Sequence, residues 1–162
     1  MGEDIKNTAF KLFNKYRTKD PYTLASHLNI YIHELPFEGD LGMYTFIQKK
    51  KVIILSDTLD EFQKRFVLAH ELGHAILHPR CNSYFLRKHT NAKTFFYEKE
   101  ANTFAAELII SDDELKDVLE YGYTIPQIAS YFCVPEDLVK LKLDNLHWKR
   151  CSLYYIFFCS VF

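Results

Sequence analysis

Hydrophobic residues recur at helical spacing over most of this chain and follow a strand-like pattern over one short part of it. Ile5, Ala9 and Leu12 begin the first helical series. Asp20 followed by Pro21 is typical of an N-cap with proline at the first helical position, which predicts a second, short helix. The chain therefore opens with two predicted helices.

A strand-like region comes next. Ile30 to His33 is rich in β-formers, and Met43 to Ile47 and Val52 to Leu55 read as two further strands. The polar stretch 48–51 between the last two predicts a hairpin with its tip in solvent. We expect a small antiparallel sheet ahead of the central helix.

Helical patterns return and continue through most of the remaining chain. Thr58 to Glu61 has the form of a capping box and precedes a largely apolar segment that Pro79 ends. After an irregular loop of residues 80–94, a helix is predicted from Phe95 to Ile110. Similar capping signals at Ser111 and Thr124, and proline at 135, predict three more helices, each with its own apolar positions. The fold class is α+β and mainly helical.

Composition limits the possible functions. The chain has 162 residues, 48% of them hydrophobic and 25% charged, and a net charge of −1, which is ordinary for a globular protein and gives no bulk attraction for nucleic acid. We expect one domain over residues 1–148 and no direct binding to nucleic acid. The four cysteines form no C-x-x-C pair and no signal peptide is visible, which predicts the cytoplasm.

Residues 149–162 form an apolar tail of unknown role. Cys151 to Phe162 carries no charge, but it is too short to span a bilayer. A terminal strand or a segment that packs on the body is the favoured interpretation. A membrane-touching tail or an oligomer contact is the alternative.

The most informative motif lies in the central helix. His70 and His74 are four residues apart, so both imidazoles face the same side of a helix, and Glu71 stands beside the first. This is the H-E-x-x-H arrangement of zinc peptidases. Scattered histidines on a surface helix are the alternative, but the apolar neighbours predict a buried helix whose polar groups need partners.

A catalytic zinc site commonly has a third protein ligand. His78 is too far along the same helix, and His89 lies in the loop. Glu98 is our choice because it is in register with the small residues of the next helix, whereas Glu100 is the alternative. Asn102, one turn after Glu98, is expected to hydrogen-bond a ligand.

Two blocks carry a family resemblance. His70-Glu71-Leu72-Gly73-His74, followed by the segment from Glu98 to Leu108, resembles the H-E-L-G-H and E-x-x-A-x-x-F-A-x-x-L motifs of the ImmA/IrrE metallopeptidases. The resemblance covers about residues 5–145 and assigns the glutamate of the second motif to Glu98. It implies a gluzincin-like helical site beside a small sheet. It also implies a cytoplasmic peptidase that cleaves a helix-turn-helix repressor and so derepresses a phage, a mobile element or stress genes.

These observations combine into one mechanism with two alternatives. Zn²⁺, or Mn²⁺ as the other candidate, is held by His70, His74 and Glu98, and Glu71 acts as general base toward metal-activated water. The oxyanion donor stays open among Tyr84, Tyr97 and His89. One alternative is a non-catalytic, zinc-stabilised regulator that binds a repressor or an antitoxin-like partner. The other, a DNA-binding module over residues 124–143, is disfavoured because that stretch is nearly neutral.

Three further expectations concern the surroundings of the site. Residues 79–97 include four basic residues and no acidic residue. We interpret this stretch as a solvated loop or as a region that attracts an acidic part of the substrate. A sheet edge near the site is expected to bind an extended substrate. Residues 124–143 are expected to form a packed helical pair or a docking surface for the repressor.

Overall fold

The computed structural model describes residues 2–36, 41–80 and 92–146. In chain order the described elements are α1 (Gly2–Tyr16), α2 (Pro21–His27), β1 (Ile30–Leu35), β2 (Gly42–Ile47), β3 (Lys50–Ser56), α3 (Glu61–Leu77), α4 (Ala92–Ile109), α5 (Asp112–Glu120), α6 (Ile125–Phe132) and α7 (Glu136–Asn145). The α+β class and its mainly helical character are confirmed. The predictions for Tyr84, His89 and the tail 149–162 lie outside the described residues.

The three described strands form one sheet in the order β1-β3-β2. The predicted hairpin is confirmed, since β2 and β3 are antiparallel and Tyr44 stands opposite Ile53. Gln48 and Lys49 join the strands with φ angles of 50° and 64°, the left-handed conformations that a tight type I′ hairpin turn requires.

The sheet is mixed rather than wholly antiparallel, because β1 runs parallel to β3. β3 takes the centre, and its Ile53 and Leu55 are fully buried. The path from β1 to β3 passes through β2, which supplies the long connection that a parallel pair needs. The hydrophobic pattern predicts the strands and their buried faces, but it does not specify the direction of a neighbour.

The central helix, α3, begins two residues later than the predicted capping box. Its N-cap is Asp60, whose carboxylate accepts from the Gln63 amide at 2.8 Å, while the Gln63 side chain accepts from the Asp60 amide at 3.0 Å. The prediction of Thr58 as the cap was wrong because its hydroxyl lies 2.8 Å from that of Ser56 instead. The capping box therefore forms around an aspartate.

Other helix starts agree better with the sequence. Asp20 caps α2 and accepts from the Thr23 amide at 2.8 Å, with Pro21 at the first position. The Gln127 side chain accepts from the Thr124 amide at 2.8 Å at the start of α6. Ser111 is the N-cap of α5, but within the described residues its side chain makes no capping hydrogen bond. Local sequence thus fixes these starts even where one capping bond is missing.

The core forms around α3, which packs against β2 and β3 and against α4. Leu68 and Leu72 of α3 are fully buried, as are Tyr44 of the sheet and Phe104 of α4. Burying a side chain of this size contributes about 1.5–3 kcal/mol, so these contacts hold the central helix in place from both sides. Among the described helices, none combines the length and apolar character needed to cross a membrane.

An ionic network with a buried centre joins four helices. The Lys142 ammonium of α7 is 1% exposed and lies 2.6 Å from the Glu107 carboxylate of α4, which is 4% exposed. It also lies 2.5 Å from Asp112, and Asp112 contacts the Lys6 ammonium at 2.6 Å. The two buried charges, Lys142 and Glu107, are paired with each other, as burial requires. The network links α1, α4, α5 and α7.

Residues 124–143 form the packed helical pair that the sequence predicts. α6 and α7 bury Ile128, Leu138 and Val139 against the rest of the core. The chain turns between these helices at Cys133 and Val134. Cys133 has a φ of 54°, which is a left-handed conformation. The apolar positions of this stretch therefore contribute to the core of the domain.

Candidate metal centre

Three side chains from two helices converge at one point. His70 and His74 extend from α3, and Glu98 extends from α4. The Nε2 atoms of the two rings are 3.2 Å apart. One Glu98 oxygen lies 3.2 Å from Nε2 of His70 and the other lies 3.4 Å from Nε2 of His74. Among the described residues, these three form the group of metal-ligating side chains that could hold an ion, with ligand atoms within 4.8 Å of one another.

The spacing of these donors suits a small tetrahedral ion. Zinc binds imidazole nitrogen and carboxylate oxygen at about 2.0–2.1 Å, so neighbouring ligands of a tetrahedral site are about 3.3–3.4 Å apart. The separations of 3.2–3.4 Å between the three residues are close to that value. Two neutral rings and a carboxylate are also a common catalytic donor set for zinc. The residues present therefore fit the metal that the sequence predicts.

Asn102 orients His70, as the sequence predicts. The Asn102 carboxamide oxygen lies 2.8 Å from Nδ1 of His70. Because that oxygen only accepts, Nδ1 carries the proton and donates, which leaves the Nε2 lone pair directed into the cluster. Nδ1 of His74 is buried and has no hydrogen-bond partner in the part of the chain described. The two rings are thus held by different means.

The charge of Glu98 is stabilised by its neighbours. Burial raises the pKa of this carboxyl group, but hydrogen bonds and charges from His70 and His74 in their protonated forms have the larger combined effect and leave it well below its usual value. Glu98 is therefore ionised at neutral pH. An ionised carboxylate beside two imidazole nitrogens is the state that binds a cation.

Glu71 lies beside the cluster and is fully buried. One of its carboxylate oxygens accepts a 2.7 Å hydrogen bond from the backbone amide of Tyr44 in β2. Gly42 of the same strand makes this approach possible, because a β-carbon there would lie 2.4 Å from Val67 and 3.3 Å from Glu71. The sheet therefore fixes the orientation of the carboxylate. Sequence reasoning missed Tyr44, since a backbone donor leaves no signal in residue type.

α3 and α4 approach closely at Gly73. A β-carbon at this position would lie 2.9 Å from the Ala101 Cα and 3.0 Å from the Ala101 carbonyl oxygen. The sequence predicts this approach through small residues on both helices. Contact at this point sets the separation that lets Glu98 reach both histidines.

The other predicted candidates lie to one side. His78 is the C-cap of α3, and its Nε2 lies 3.1 Å from the Glu100 carboxylate. The Tyr97 ring is 4.2 Å from the His78 ring, centre to centre. Burial and the neighbouring His74 lower the pKa of His78 to about 4, so this ring is neutral at neutral pH. Glu100 thus faces His78 rather than the cluster.

The chain matches a family model and two curated relatives. A peptidase M78 family model, described as the IrrE N-terminal-like domain, matches residues 25–144. The chain is 38% identical over 144 residues to "Uncharacterized immunity region protein 2" of Bacillus phage phi105, with 85% of this chain and 88% of the relative covered. It is 32% identical over 153 residues to "Metallopeptidase ImmA" of Bacillus subtilis (strain 168), with 90% and 87% covered.

Proposed function

This chain belongs to the peptidase family of the IrrE N-terminal-like domain, and we propose that it is a zinc-dependent endopeptidase that cleaves a helix-turn-helix transcriptional repressor. Membership makes it a metallopeptidase, and a metallopeptidase acts on protein or peptide. Zinc as the metal, the H-E-x-x-H mechanism and the repressor as substrate belong to the proposal. Cleavage would derepress a phage, a mobile element or stress genes.

The observation that carries the proposal is the convergence of His70, His74 and Glu98 at separations of 3.2–3.4 Å. These residues would hold the metal between α3 and α4. When bound, zinc polarises carbonyl oxygens and makes water a much stronger acid. Manganese is the alternative ion for a set of two histidines and one carboxylate.

Glu71 performs the proton transfers in this proposal. Its carboxylate takes a proton from the attacking water and later delivers it to the leaving amine. The Tyr44 amide holds one carboxylate oxygen at 2.7 Å, so the base is oriented before substrate arrives. A site oriented in this way requires little rearrangement during the reaction. Tyr97 packs on His78 near the cluster and stays a candidate for the oxyanion donor.

The repressor as substrate is supported by the sequence resemblance and by one relative's name. That relative is an immunity region protein of a phage. A transcriptional repressor acts where the DNA is, so we propose that the peptidase works in the cytoplasm. The described edge strand β2, next to Glu71, offers a place for an extended segment of the repressor to pair.

The test is cleavage of the helix-turn-helix protein encoded by the neighbouring reading frame. Glu71→Gln should keep one zinc per chain but lower the cleavage rate by about 10²–10⁴-fold, because the proton acceptor is lost. Glu61→Gln is the matched control, since Glu61 is in the same helix but has an 84% exposed side chain. It should cleave at the wild-type rate.

Two results would contradict the proposal. Cleavage by Glu71→Gln at the wild-type rate would exclude the mechanism. Tight binding of the repressor by the zinc-loaded wild type without any cleavage would favour the non-catalytic regulator.

A further inference from the structure

An apolar groove lies away from the metal cluster. It has a volume of about 380 Å³ and runs between the start of α3 and the turn that joins α6 to α7. Phe62 and Phe66 line one side, and Ala129, Val134 and Pro135 line the other. The Phe62 ring is 63% exposed although phenylalanine gains by burial. The groove thus offers apolar surface that a partner could cover.

The groove lies on the same face of α3 as His70. Phe62, Phe66 and His70 are spaced by four residues and therefore share one face of α3. The Phe66 and His70 rings are 6.5 Å apart, centre to centre. At a rise of 1.5 Å per residue, Phe62 is about 12 Å along the helix from His70. An extended chain covers that distance with about four residues.

The rim of the groove is acidic on balance. Asp60 lines it, and Glu136 and Asp137 begin α7 directly after Pro135. The Asp137 side chain is 92% exposed. The nearby Lys140 lies 3.0 Å from Asp137 and 4.0 Å from Glu136, so one cation faces two anions at this end. An occupant with positive charge beside its apolar residues is complementary to this rim.

We propose that this groove binds a segment of the protein substrate in which apolar side chains are flanked by lysine or arginine, about four residues from the bond that is cut. The proposal rests on the proposed function and adds to it the kind of sequence that the enzyme selects. Phe62 and Phe66 contact the apolar side chains, and Asp137 attracts the flanking cation. The groove therefore selects substrates by a site separate from the reacting atoms.

Binding of synthetic peptides tests the proposal without any need for cleavage. We would use the zinc-loaded Glu71→Gln protein and three fluorescein-labelled peptides of twelve residues: leucines flanked by lysines, leucines flanked by glutamates, and serines flanked by lysines. Fluorescence anisotropy gives each dissociation constant. The leucine–lysine peptide should bind at least about tenfold more tightly than either of the others, since it alone satisfies both groove and rim.

Two variants locate the binding. Phe62→Ser should raise the dissociation constant of the leucine–lysine peptide by about tenfold or more, whereas Phe10→Ser should leave that constant unchanged. Phe10 is a matched control because its side chain is 60% exposed on α1, outside the groove. Asp137→Lys should weaken the binding of the leucine–lysine peptide and strengthen the binding of the leucine–glutamate peptide. It changes a side chain that is 92% exposed, so the hydrophobic core is left unchanged.

Equal binding of the lysine- and glutamate-flanked peptides, or an equal effect of Phe62→Ser and Phe10→Ser, would overturn the groove proposal. Such a result leaves the peptidase proposal intact, because cleavage is measured separately. Conversely, a protein that fails to cleave the repressor can still show the binding pattern. The two proposals therefore fail on different measurements.

Discussion

The Lys51 ammonium donates a 2.7 Å hydrogen bond to the carbonyl of Ala75. In a continuing helix that carbonyl would accept from the amide four residues later, but residue 79 is proline and has no amide hydrogen. Lys51 thus supplies from β3 the donor that Pro79 lacks. The bond ties the last turn of α3, immediately after His74, to the sheet.

Loss of this donor should destabilise the protein. We expect Lys51→Met to lower the free energy of unfolding by about 1–2 kcal/mol, because the Ala75 carbonyl loses a charged partner. Urea denaturation measures the change. Lys49→Met is the control, since Lys49 is exposed in the hairpin turn. An equal loss in both variants would show that the bond contributes nothing.

Metal content distinguishes the two glutamates that the sequence left open. Glu98→Ala should abolish stoichiometric zinc binding after dialysis, whereas Glu100→Ala should retain one ion, because Glu98 contacts both histidines and Glu100 contacts His78. Elemental analysis by mass spectrometry gives the stoichiometry. The reverse pattern would assign the third ligand to Glu100.

Gly73→Ala should separate the two ligand-bearing helices. The new β-carbon would meet backbone atoms of Ala101, which cannot rotate away, so we expect a loss of stability of about 1–3 kcal/mol together with weaker zinc binding. Competition with a fluorescent chelator measures the affinity.

Gly122→Ala is the control for this substitution. The carbon added at residue 122 meets open space, but the backbone there has a left-handed φ of 75°. The Gly122→Ala protein should therefore lose about 1–2 kcal/mol of stability without loss of zinc affinity. Reduced zinc affinity in both variants would mean that general destabilisation, not helix separation, is responsible.

The Asp112 network should give stability that depends on pH. Burial raises the pKa of Asp112, but hydrogen bonds from Lys142 and Lys6 leave it below its ordinary value of 3.8. A carboxyl group with a lowered folded pKa contributes stability above its unfolded pKa, and the contribution is lost as the pH falls through the folded value.

Asp112→Asn should therefore be less stable than wild type at neutral pH, and the difference should shrink as the pH falls below 3.8. Urea midpoints across the pH range measure it. Asp113→Asn, which changes an exposed neighbour, should follow the wild type throughout. A difference for Asp112→Asn that stays constant with pH would contradict the role of its ionisation.

Residue spacing predicts much of this molecule because its elements are local. The four-residue interval predicts that His70 and His74 share a helical face, and they do. The same periodicity places Glu98 and Asn102 one turn apart on α4. Glu98 contacts the rings of both histidines, and Asn102 contacts the ring of His70. Small residues at Gly73 and Ala101 predict that the helices approach closely at that point.

Interactions across the sheet and between distant charges were not predictable in this way. The parallel pairing of β1 depends on the path of the whole chain, and the cap at Asp60 depends on a competing contact between the Ser56 and Thr58 hydroxyls. The charges of Lys142 and Glu107 are of a kind usually exposed to solvent, and only the packing of α4 against α7 reveals that they are buried together.

Tyr44 contacts α3 and the residue that follows its C-cap through two different atoms. Its amide nitrogen holds the Glu71 carboxylate, and its phenolic hydroxyl donates to the Pro79 carbonyl at 2.8 Å, just past the end of the helix. A shift of β2 would consequently move Glu71, the proposed proton acceptor, together with the end of the helix. A molecule that pairs with β2 would therefore change the position of the Glu71 carboxylate without touching it.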